Sequence, residues 1–256
     1  MDDNREIEGY EIIVIQSLKQ GDLKTGDLLY KDVLKGKKNV TTTCYNVSTK
    51  KELEELLVNI EKLIPSNHIL TLHFETHGCN EGIGIYPSVE LMSWKELFEL
   101  IRPINIKTSN LLMVVLSMCC GAAISSLVDP YKRCPYRAFI GFEHSVSEGV
   151  LKNAFRSFYE AYDNLLDIDK ALEQMKRILP NDVKPWCYTA ERIFDMALNP
   201  DTNPESFATV IDQSYSGFNK QGEPVSKVQF AEEVRQYFIR TAKENRDYYN
   251  FKDLQS

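Results

Sequence analysis

Five short apolar and β-branched runs constrain this chain more than any other feature: YEIIVIQ at 10–16, VTTTCY at 40–45, ILTLHF at 69–74, LLMVVL at 111–116 and AFIGF at 138–142. Their near-continuous apolar character suits parallel strands covered on both faces. The segments between them carry helix signals. Thr49 and Glu52 stand in capping-box spacing ahead of Leu53, Leu56, Leu57, Ile60 and Leu63, which share one helical face. Ser93 and Glu96 repeat that spacing before Leu97, Leu100 and Ile101, and Pro103 predicts the end of that helix. Ser145 and Glu148 predict a third start, followed by Leu151, Ala154, Phe155, Phe158, Tyr159 and Tyr162 along a stripe, and a further helix is expected from Asp167 to about Leu179. Strands alternating with crossover helices predict an α/β three-layer sandwich with a mostly parallel central sheet, its functional groups at the carboxyl ends of the strands. From Asn199 the pattern loosens through NPDTNPE and a polar loop, then gives an amphipathic helix near 228–242. The expected organisation is therefore a core at 1–198 and a helical extension at 199–256.

Charge and composition remove several classes of function. With 30 basic and 37 acidic residues, a net of -7, no uniformly basic surface is expected for a nucleic-acid backbone. No apolar run approaches the roughly 18 residues of a membrane span, and the first residues, MDDNREIEGY, are acidic where a secretory signal is basic. A cytoplasmic protein is expected, with neither nucleic acid nor membrane as partner. The six cysteines show no repeated CxxC spacing, which fits reduced thiols.

Two strand ends carry chemistry. In ILTLHFETHGCNEG, His77 comes just past an apolar run and is followed by Gly78, whose backbone can approach a ligand closely. In LLMVVLSMCCGAA, a run leads to Cys119, then Gly121 and the expected start of a helix whose dipole would favour a thiolate. A thiol with a pKa near roughly 8.5 is mostly protonated at neutral pH, so it needs an imidazole within reach to act as a nucleophile. The backbone amides of Gly78 and Cys119 are the natural donors for an oxyanion.

This arrangement resembles the clan of caspases, metacaspases, separases and CHAT peptidases, in which a strand ending in His-Gly precedes a strand ending in a small residue, a spacer, Cys, any residue and Gly or Ser. The His-to-Cys separation here is 119 - 77 = 42, against about 50 in caspases. LSMCCG is most similar to the CHAT form LSxCxSG, with one residue missing before Gly121, and the stretches from Ala138 to Tyr162 and ALEQMKRIL also resemble that family. The likeness covers roughly 10–198. It implies the caspase-like sheet and cleavage of protein or peptide substrates through a Cys119–His77 dyad and a thioester, with no metal and no cofactor. It also implies gating by an activating ligand or partner protein, for which the segment from Asn199 is the candidate regulator. The stripe Phe230, Val234, Tyr237, Phe238 and Thr241 would pack on the core, on a second copy in a homo-oligomer, or on that partner.

Caspases place a glutamine two residues before the cysteine to read an acidic P1 side chain, whereas this chain has Ser117. Asp129 and Glu143 are instead the candidates to receive an arginine or lysine, with His144 lining the cleft. Other readings fare worse. His73 and Glu75 spell the HxE of zinc deaminases without the PCxxC that must follow. A metal cluster of His77, Cys79, Cys119 and Cys120 lacks the ligand spacing of structural zinc. The rival that stands is a catalytically silent caspase-like binding or scaffold module.

Overall fold

The computed structural model describes residues 7–162, 168–219 and 221–254. The chain divides into two compact units, one of residues 1–127 and 135–189, the other of residues 128–134 and 190–256. The first unit is an α/β fold. Its strands are β1 (Gly9–Ser17), β2 (Thr41–Asn46), β3 (His68–Gly78), β4 (Gly82–Ile85), β5 (Glu90–Ser93), β6 (Leu112–Ser117), β7 (Ala138–Phe142) and β8 (Pro185–Thr189). Its helices are α1 (Thr25–Leu29), which continues into a π-helical turn at Tyr30–Leu34, α2 (Lys50–Leu63), α3 (Trp94–Lys107), α4 (Glu148–Ala161) and α5 (Ile168–Ile178). The sheet runs β2-β1-β3-β6-β7-β8; the first five strands are parallel and β8 is antiparallel to β7. The small antiparallel β4–β5 hairpin extends the end of β3.

Both faces of the central strands β1, β3, β6 and β7 are covered, which is why they read as apolar runs, whereas the edge strand β2 is exposed to half-buried. Ile12, Val14, Met113, Val115 and Ile140 pack in one cluster with Leu151, Phe155 and Phe158 of α4 and Met175 of α5. On the opposite face Phe139 meets Tyr136 edge-on, Tyr136 meets Phe98 of α3 in the same way, and α2 packs beside α3.

Local signals explain most of the boundaries. Thr49 accepts from the Glu52 N–H at 3.1 Å, and Ser93 with Glu96 closes a full capping box. Three expectations need correction. Leu63 is 82% exposed: it is the last residue of α2, and Ile64, next along the chain, takes the buried place instead. Pro103 does not end α3, which runs on to Lys107. Buried Ile104 and Asn105 hold the last turn against the unit, and the Asn105 side chain accepts from the Leu112 N–H of β6, so packing outweighs the hydrogen bond that proline removes. The cap of α4 is Ser147 rather than Ser145. The expected start of α5 at Asp167 lies outside the described residues.

The second unit is helical: α6 (Ala190–Leu198), α7 (Pro204–Ser214) and α8 (Lys227–Tyr249). Its aromatic stripe packs internally, Phe230 on Tyr215 and Phe238 on Phe207, with Thr241 buried. Arg246 of α8 ties to Glu191 and Asp195 of α6 at 3.0 and 2.8 Å. None of the described helices is long and apolar enough to cross a membrane.

Candidate active site

The pairing of β3 with β6 builds the site. Glu75 stands opposite Ser117 in the parallel register. Side chains alternate along a strand, so His77, two residues on in β3, returns to the face that Glu75 occupies, while Cys119 lies two residues past the end of β6, in the turn that follows it. His77 is not past the strand, as its sequence position suggests, but inside it: β3 continues to Gly78 because the β4 hairpin pairs Gly84 with His77 and Ile83 with Gly78. Gly78 is required by a close approach. A Cβ there would lie 2.2 Å from the Cys119 carbonyl oxygen and 2.9 Å from Met118 Cγ. The two backbones whose amides the oxyanion assignment uses are therefore in contact.

His77 is held from two sides. Its ring meets Tyr86 edge-on at 5.3 Å between centroids, and its Nε2 lies 2.8 Å from Asp22 Oδ2. An ionised carboxylate only accepts, so Nε2 carries a proton, and Nδ1 is the nitrogen left to exchange a proton with a reacting group. Asp22 sits in the loop after β1, where the Lys19 backbone N–H donates to the same oxygen at 2.8 Å. The hydrogen bond from His77, and then the Lys19 N–H, hold the Asp22 carboxyl below its ordinary 3.8. A depressed pKa stabilises the fold above that ordinary value, and the contribution is lost as pH falls through the lower folded value. Asp22→Asn is accordingly expected to melt below the parent near neutral pH and to converge with it in strong acid; a gap in melting temperature that stays constant with pH would refute this coupling.

Cys119 is half-buried, and its thiol lies 3.8 Å from the Val146 carbonyl oxygen. Among the described residues it makes no hydrogen bond to His77. Cys120 adopts a left-handed backbone, φ 55°, and burial, reinforced by Cys119 and Cys79, pushes its thiol up. The helix expected after Cys119 is a six-residue 3-10 segment, Gly121–Ser126, too short to act as an extended dipole.

Asp22, Thr25, Glu75, His77, Ser117, Cys119 and Glu148 all line one cavity of about 210 Å3. Glu75 is buried and fully engaged below it: Thr25 Oγ1 donates to Oε2 at 2.7 Å, and His73 Nε2 meets Oε1 at 2.9 Å. The other nitrogen of His73 lies 3.0 Å from the Tyr159 hydroxyl. Burial raises the Tyr159 pKa well above its usual value, so that hydroxyl remains a donor and His73 Nε2–H points at Glu75.

Of the residues singled out in the sequence, His77, Gly78, Ser117 and Cys119 are thus brought together. Glu143 and His144 are not in this cavity; they line an adjoining one of about 420 Å3 that shares Val146 with it, and their side chains are largely exposed. Asp129 belongs to the second unit, where it lies 3.8 Å from Lys132 and accepts from the Tyr131 N–H. The sequence reading missed Asp22, Glu75 and Glu148. The one signal available for Asp22 was its place in the loop that follows the first strand, and nothing in LKQGDLKTGD distinguished it from Asp27.

No protein-family model matches the chain, and no curated protein matches it. Among solved structures, protein GSU0716 from Geobacter sulfurreducens aligns over 70% of this chain and 93% of its own, with 11% identity and a TM-score of 0.48. That likeness is too slight to bear on function.

Proposed function

We propose that this chain is a cysteine endopeptidase of the caspase-like, CHAT-related kind, with Cys119 as nucleophile, His77 as acid-base group and Asp22 as the residue that positions His77. The observation that carries the reading is the shared cavity: a carboxylate-held imidazole and a thiol at the ends of two adjacent parallel strands, with a bare glycine backbone between them. In the proposed reaction His77 Nδ1 takes the thiol proton and the sulfur attacks the peptide carbonyl carbon. The oxyanion is met by the amides of Gly78 and Cys119. His77 then protonates the departing amine, and a water deprotonated by His77 cleaves the thioester, releasing the acid and restoring the thiol.

One observation favours the second reading, a silent binding module: the Cys119 thiol faces the Val146 carbonyl and is not hydrogen-bonded to His77. In the peptidase reading this is a resting arrangement that a substrate, ligand or partner protein shifts, in keeping with a gated effector. A peptidyl acyloxymethyl ketone separates the two. The expected result is covalent labelling of Cys119, located by mass spectrometry, and faster labelling when extract from stressed cells is added. Equal rates with and without extract would remove the gating and keep the peptidase. No labelling of Cys119 in either condition would leave the binding module.

A further inference from the structure

We propose that Cys79 and Cys120 form a reversible disulfide that staples the turn after β3 to the turn after β6 and leaves Cys119 a free thiol. The modification does not rest on the peptidase reading; its consequence, a fixed backbone beside the proposed nucleophile, does. Gly78 and Cys119 touch through their backbones, since a Cβ on Gly78 would lie 2.2 Å from the Cys119 carbonyl oxygen. Cys79 and Cys120 are the next residues along these two segments. Each sits on a pinned backbone. Cys79 and Gly82 exchange backbone hydrogen bonds at 2.9 and 3.4 Å, and the Trp94 indole N–H donates to the Cys79 carbonyl at 3.2 Å. Cys120 is left-handed, and its carbonyl accepts from the Ala123 N–H at 3.0 Å.

The side chains converge as well. After burial, it is the thiols of Cys119 and Cys79 and then the Glu81 carboxyl that push the Cys120 thiol up, and the Cys79 thiol, by a hydrogen bond, holds the Glu81 carboxyl below its ordinary 4.5. Cys79 and Glu81 thus approach Cys120 from the hairpin turn. The Cα atoms of a disulfide pair stand roughly 4.4–6.8 Å apart, a span that residues directly after a backbone contact can meet. Other pairings are poorer. Cys119 and Cys120 are adjacent in the chain, which strains a bridge, and the Cys119 thiol lies 3.8 Å from the Val146 carbonyl oxygen in the cavity with His77. Burial above all holds the Cys44 and Cys187 thiols at about 12 and about 11, and Cys134 is fully buried, so these three stay reduced. The oxidant is a low-molecular-weight disulfide. The Cys79 thiolate attacks one of its sulfurs, the S–S bond breaks, and the first small thiolate leaves and takes up a proton. Cys120 then gives its proton to water, and its sulfur attacks the Cys79 sulfur, forming the bridge and expelling the second thiolate. Two protein thiols are oxidised and one small disulfide is reduced to two thiols.

Full-length protein equilibrated in glutathione buffers of rising oxidised fraction, then quenched, alkylated and digested without reductant, tests this by mass spectrometry of linked peptides. The expected result is one pair, Cys79 with Cys120. It should form at an oxidised fraction at least about tenfold below that needed by the urea-unfolded chain, because a fold that already holds two thiols together favours bridging them. Dithiothreitol should reverse it. Iodoacetamide should still alkylate Cys119 in the bridged protein, and Cys119→Ala should bridge as the parent does. Cys79→Ser and Cys120→Ser should each form no bridge. A bridge that includes Cys119, mixed disulfides with glutathione in place of a bridge, no oxidation at any ratio, or bridging equally easy in urea would overturn the proposal. A Cys79–Cys120 bridge in a protein whose Cys119 the acyloxymethyl ketone does not label would keep the disulfide and reject the peptidase.

Discussion

Peptide cleavage is expected to vanish in Cys119→Ala and to survive largely intact in Cys120→Ala, although the two thiols are neighbours in the chain. Cys119 lies just past the end of β6 and lines the cavity with His77. Cys120 has already turned away into a left-handed conformation, and burial among other thiols disfavours its thiolate. His77→Ala should slow acylation by on the order of 10² to 10⁴, the usual worth of a positioned proton-transfer group. Its ring is partly exposed and packs on Tyr86, so the variant is expected to stay folded and to lose melting temperature only to the extent that Asp22→Asn does, since both remove the same bond. These outcomes are read as kcat/KM on a fluorogenic peptide beside thermal melts of the same preparations. Equal loss in both cysteine variants would detach the nucleophile from position 119, and a fully active His77→Ala would take the imidazole out of the mechanism.

The largest effect on stability is expected at His73, a residue with no direct part in the proposed reaction. It is fully buried between Glu75 and Tyr159, so His73→Ala takes the partner from a buried phenol and from one oxygen of a buried carboxyl, which keeps only Thr25. Breaking a buried pair of this kind costs about 3 kcal/mol or more, because the remaining group stays desolvated. For a protein of this size that corresponds to a fall in melting temperature of roughly 6–12 °C. Tyr159→Phe, which removes one hydrogen bond and keeps the ring, should cost about 1 kcal/mol. A His73→Ala protein that melts within a degree or two of the parent would mean that water or a rearrangement satisfies Glu75.

What the sequence revealed follows from what each residue must do locally. AFIGF is bounded to the residue, because a strand buried on both faces has no polar position to blur its limits. His77 and Cys119 were legible because reactive side chains follow long apolar runs. The hairpin of GIGI and ELMS and the edge strand PWCYT were not: they are short and carry glycine, proline or polar residues, and PWCYT also owes its pairing to a strand distant in sequence. The carboxyl groups were hidden for a different reason. Among 37 acidic residues nothing local marks Asp22 or Glu75; only the strand register and the course of the β1 loop set them beside His77. The same limit explains why Asp129 and Glu143 were chosen in their place, since nearness to a strand end in sequence does not say which cavity a side chain lines.

Because Glu75 and His77 owe their common face to a two-residue repeat on β3, and Ser117 owes its place opposite Glu75 to the register of β6, the site should be far less tolerant of length changes than of substitutions. One residue inserted between Glu75 and His77 would turn the imidazole to the other face of the sheet while leaving the carboxyl in place, and a change of length in the turn after Ser117 would displace the thiol. Families descending from such a chain can therefore vary the chemistry of these four positions one at a time, but insertions and deletions should collect in the connections and stay out of β3 and β6.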